Sequence, residues 1–85
     1  MIKTKKQLLD RIHNELMYNL LTAEIEIALA SKKNPNDIIR STNTQTSMGI
    51  VTENYTMSDH IKENKDTIKR IEESIDIVKQ KSRNL

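Results

Sequence analysis

Few residues in this chain are of a type and spacing that does chemistry. There is no cysteine, hence no thiolate nucleophile, no disulfide and no sulfur-ligated metal site. Asp10 and His13 stand three apart, and His60 sits beside Asp59 and three before Glu63, so each pair offers two metal ligands at most. On an antiparallel pair of helices the two histidines fall toward opposite ends, and two ligands alone do not hold a metal. Glu24 and Glu26 are two apart and point to different faces of a helix, which denies them a shared acid/base role. None of the serines and threonines has an adjacent histidine or a nucleophile elbow. We therefore expect no enzyme, no metal and no cofactor.

Two polar constellations remain, both suited to anions. Lys3, Lys5 and Lys6 lie at one end of the chain and Lys79, Lys81 and Arg83 at the other. Antiparallel helices would bring the two sets together. Lysines at a helix start oppose its dipole, so helix stability does not explain them. The second constellation is Arg40, Ser41 and Thr42, followed by further hydroxyl and amide side chains up to Gly49 and lying near Lys32 and Lys33. A guanidinium, hydroxyls and backbone donors there could grip an anionic small molecule. Neither the P-loop nor the dinucleotide glycine pattern is present. The plainer accounts are solvated helix ends and a mobile polar connector.

The elements that would carry these residues are read from periodicity. Ile61, Asn64, Ile68, Ile71, Ile75, Val78 and Ser82 recur at alternating spacings of three and four, a heptad seam on a helix over about 57–83. Thr56 offers an N-cap, with Asp59 three residues on in place of the usual capping-box Glu. Asn64 interrupts the seam, either as a register device or where the seam opens to solvent. The first helix spans about 4–32, free of Gly and Pro. Asn34, Pro35 and Asp37 read as a stop and a fresh helix start, predicting a short helix over 35–41. Residues 42–56, rich in Ser, Thr and Asn, read as a polar connecting loop. A short β-hairpin through Ile50, Val51 and Thr52 has too few strand residues to build a sheet that stands alone. The expected fold is therefore all-α: one domain over 1–85, two long helices in an antiparallel hairpin, a short helix and a loop.

Spaced at 100° per residue, the first helix shows two apolar arcs. Leu9, Ile12, Leu16, Leu20, Ala23, Ile27 and Ala30 form one, which suits the seam of the second helix. Met17, Leu21, Ile25 and Ala28 form the other, with Tyr18 and Leu29 at its edge. A lone two-helix hairpin buries too little to offset its chain entropy. The second arc is thus expected to meet a second copy, in a homo-oligomeric helical bundle, or a protein partner.

Composition narrows the function further. The 85 residues carry 14 basic and 12 acidic side chains, a net charge of +2 that describes a mixed surface more than a nucleic-acid magnet. Tyr18 and Tyr55 are the only aromatics, which removes base-stacking platforms and interfacial membrane anchors. A helix-turn-helix beginning at 35–41 fails because the Thr-, Ser- and Gly-containing segment after it is a poor recognition helix. No apolar run is long enough for a membrane span or a secretory signal, and a cytoplasmic home follows as the simpler expectation. The abundance of Ile, Lys and Asn points to an AT-rich gene of the kind common in phages and mobile elements. The leading expectation is a small non-enzymatic homo-oligomer that binds another macromolecule, as adaptor, inhibitor or assembly component. The alternative is an anion-binding module for nucleic acid or a nucleotide-like ligand, acting through the basic ends and the Arg40 segment.

Overall fold

Two capped helices bracket a β-ribbon. The computed structural model describes residues 4–85, so Lys3 lies outside the described residues. Helix α1 is Lys5–Ala30, strand β1 is Ile38–Thr46, strand β2 is Gly49–Thr56 and helix α2 is Met57–Arg83. Each helix starts on a capping box. Thr4 accepts from the Gln7 backbone N–H while its own N–H donates to the Gln7 side chain. Thr56 and Asp59 make the same exchange at the head of α2.

The helices pack antiparallel. Leu16, Leu20, Ala23, Ile27 and Ala30 of α1 turn inward, as do Ile61, Asn64, Ile68, Ile71, Ile75 and Val78 of α2, and Ser82 stays exposed where the seam ends. The core is thin: Ala23, Ala30, Met57, Ile75 and Val78 are its buried members, and no side chain among the described residues is wholly withdrawn from solvent. His13 of α1 lies beside Val78 and Ser82 of α2, while Ala30 lies beside Met57 at the other end.

The expected all-α class does not hold, because residues 38–56 form an antiparallel hairpin and the fold is α+β. The short helix at 35–41 and the loop at 42–56 are both replaced. Asn34 through Asp37 close a β-turn with Pro35 at its second position: the Asp37 N–H donates to the Asn34 carbonyl at 3.0 Å, and the Asn36 N–H to Asn34 Oδ1 at 2.9 Å. The carbonyls a new helix would have needed are taken by α2, whose Met57 and Ser58 N–H groups donate to Asp37 and Pro35 at 2.8 and 3.0 Å. Together with the Thr56 hydroxyl on the Asp59 N–H, these bonds satisfy the first three amides of α2, which a helix otherwise leaves orphaned.

Beyond the turn, β-branched Ile38, Ile39, Thr42, Thr44 and Thr46 favour extended backbone over helix. The pairing runs from Arg40 opposite Tyr55 to Thr46 opposite Gly49, with a register shift between Ile38 and Arg40. Cross-strand side chains replace the missing apolar face: the Ser41 hydroxyl donates to Asn54 Oδ1 and the Thr52 hydroxyl to Asn43 Oδ1, each at 2.8 Å. Gly49 follows the tip residues Ser47 and Met48 with a φ of 115°, which only glycine adopts freely.

Candidate functional site

The chain's polar chemistry converges where the ribbon meets the helices. Strand pairing sets Arg40 against Tyr55, and the guanidinium carbon lies 4.1 Å from the centre of the tyrosine ring, a cation–π contact. The Tyr55 hydroxyl donates to Glu63 Oε2 at 2.6 Å, reaching from β2 to the second turn of α2. It also stands 3.4 Å from His60 Nδ1, with the two rings edge to face. His60 Nε2 lies 3.5 Å from Glu26 Oε2 on α1, and the Asn64 amide donates to the His60 carbonyl at 2.9 Å. One chain of contacts thus joins β1, β2, α2 and α1.

This cluster acts as a clamp between the ribbon and the helices. Its hydrogen bond to Glu63, then burial and then the Glu63 charge, hold the Tyr55 phenol above its ordinary 10.0. A phenol that keeps its proton while donating to a carboxylate is the opposite of an activated nucleophile. Beside it, Glu26, Leu29, Ala30, Lys33, Ile39, Met57 and His60 line an open groove of about 350 Å³. Its floor is apolar and its rim carries both signs of charge. The register shift at Ile39 bends the strand here, and this side chain joins the groove instead of continuing the ribbon's alternation.

The residues singled out from the sequence fall in three places. Met17, Leu21, Ile25 and Ala28 form an exposed stripe on α1, with Leu21 at 55% and Ile25 at 59% of full exposure and Tyr18 and Leu29 open beside them. Neither the ribbon nor α2 covers this stripe. Antiparallel packing brings Lys5 and Lys6 to the same end as Lys79, Lys81 and Arg83, where a groove of about 370 Å³ is lined by Asp10, His13, Val78, Lys79, Ser82 and Arg83. Asp10 places an acidic group among these cations. Strand alternation puts Arg40 and Thr42 on one face of the ribbon and Ser41 on the other. Among the described residues, no three of the histidines and carboxylates cluster to hold a metal.

Tyr55 and Ile39 were not legible as site residues. Tyr55 becomes a junction only through partners eight residues ahead and fifteen behind it, although its aromatic ring two positions from Glu53 and next to the Thr56 cap was a local hint. No family model, curated protein or solved structure matches the chain.

Proposed function

We propose that this chain is a non-enzymatic, self-associating protein of the cytoplasm that acts by binding another macromolecule, with copies meeting along the outer stripe of α1. The uncovered stripe of Met17, Leu21, Ile25 and Ala28 carries this reading. Its weight comes from surface area. The chain exposes 7035 Å², whereas a compact monomer of 9.9 kDa exposes about 5,200 Å². The excess of about 1,800 Å² is roughly twice what one partner contributes to a standard-size interface. A radius of gyration of 18.9 Å, against about 12 Å for a compact domain of this length, says the same of its shape. No described helix is long and apolar enough to cross a membrane, and a chain without cysteine fits a reducing compartment.

Light scattering or sedimentation across micromolar concentrations tests this reading. The mass should exceed that of one chain and rise with concentration, and Leu21→Asp combined with Ile25→Asp should lower it. A monomeric mass at every concentration would sink the proposal.

One observation favours a second reading. The antiparallel packing gathers Lys5, Lys6, Lys79, Lys81 and Arg83 at one end, a shape of charge that suits phosphate-bearing chains. On this reading a short nucleic acid or polyphosphate raises the melting temperature, and the gain fades with added salt and with Lys5→Ala plus Lys6→Ala. Melting curves unmoved by either ligand at low salt exclude it.

A further inference from the structure

The ribbon's outer edges lie open, and its contacts with the helices are confined to its base. Every residue of β1 is exposed. A two-stranded ribbon is marginal in water without a third strand or a helix against its face. Open edges in monomeric proteins are blunted by lysine, proline or a mid-strand bulge. Over 41–46, with the sequence Ser, Thr, Asn, Thr, Gln, Thr, β1 has none of these. Its register shift lies at the root, and its single charge, Arg40, is folded over Tyr55.

We propose that β1 pairs with β1 of a second copy, antiparallel about Asn43, to close a four-stranded sheet in the order β2-β1-β1-β2. A strand that pairs with itself about a two-fold axis is necessarily antiparallel, and the axis passes through a residue because opposed side chains share a face. Asn43 is the midpoint of the paired run 40–46, so a centre there pairs all of it. It sets Thr42 opposite the second copy's Thr44, Ser41 opposite the second copy's Gln45, and Arg40 opposite the second copy's Thr46. Every opposed pair then joins hydroxyl, amide or guanidinium groups that complement each other. The two Arg40 residues stand at opposite ends of the new ladder, roughly 20 Å apart. The same operation on β2 fails, because it brings two Glu53 carboxylates opposite or nearly opposite one another.

This edge is separate from the α1 stripe, and the excess surface is large enough for both. A chain with two self-complementary surfaces is bivalent. Copies joined through both would close into tetramers of two-fold symmetry or extend as an open array, which is the behaviour of an assembly component.

Because the chain has no cysteine, an introduced thiol reports only its own surroundings. Opposed Cα atoms in an antiparallel pair lie about 4.5–5.5 Å apart, inside the roughly 4.4–6.8 Å that a disulfide spans. Under mild oxidation the full-length Asn43→Cys chain should form a covalent dimer several-fold faster than Gln80→Cys, an exposed position near the end of α2. Mixing Ser41→Cys with Gln45→Cys chains should give the mixed dimer in excess of either homodimer, which fixes the register without altering Asn43. Both results should persist when Leu21→Asp and Ile25→Asp are added, so that loss of α1 pairing is not mistaken for loss of strand pairing. Equal rates at positions 43 and 80, no excess of the mixed dimer, or cross-linking that vanishes with the α1 substitutions would each overturn the proposal and leave this edge to a strand of a different protein.

Discussion

Gly49 carries a φ of 115°, and a Cβ built on it meets nothing within 4 Å. The cost of a side chain there is thus backbone strain alone, free of any clash. We expect Gly49→Ala to destabilise the ribbon by about 1 kcal/mol. Amide exchange over β1 and β2 should speed up roughly five-fold, while the helices keep their protection. Asp59 is the other residue whose local chemistry is decisive. Its carboxyl accepts the Thr56 backbone N–H at 3.0 Å and the Thr56 hydroxyl at 3.1 Å, and these bonds, the backbone one foremost, hold its pKa below the ordinary 3.8. A carboxylate depressed in the folded state contributes stability that is fully present above its unfolded value and is lost as pH falls through the folded one. The difference in melting temperature between wild type and Asp59→Asn should therefore be steady near neutrality and close as pH drops below 3.8. Melts recorded across that range check the sign.

At the scale of elements, the helices and the ribbon are held by different forces. The helical pair depends on apolar contact, and α2 presents the contrast within three residues: Ile75 is 6% exposed and Ile77 is 55% exposed. Ile75→Ala should cost about 2–3 kcal/mol, toward the lower end for a core isoleucine because so thin a core can relax around the gap. Ile77→Ala should stay within about 0.5 kcal/mol. Urea denaturation of the two variants separates these outcomes. The ribbon has little apolar burial and depends on hydrogen bonds between its strands and on the clamp from Arg40 through Tyr55 to Glu63. Groups this open to water gain little net stability per bond. The ribbon is accordingly the element with most to gain from further strands.

For the whole molecule the governing fact is a surface too large for its mass. A chain whose folded form is completed by other copies should melt at a temperature that rises with its own concentration. We expect that rise for the wild type and a flatter dependence once Leu21→Asp and Ile25→Asp remove the apolar stripe, as calorimetry at several concentrations would report.

What the sequence determined by itself was whatever is written within one or two helical turns. The α2 seam from Ile61 to Val78, the Thr56 cap with Asp59, and the uncovered second arc of α1 all rest on spacings of three and four residues, and side chains so spaced are neighbours in any helix. The ribbon and its junction needed the tertiary structure. Both faces of the ribbon are wet, so β1 and β2 lack the apolar alternation that marks a strand, and Ser41 finds Asn54 only across thirteen residues of chain. The segment Asn34 through Asp37 suits a helix start and a β-turn equally well in sequence. The choice was made by α2, whose first amides take the carbonyls of Pro35 and Asp37 and leave the chain nowhere to go but into an extended strand.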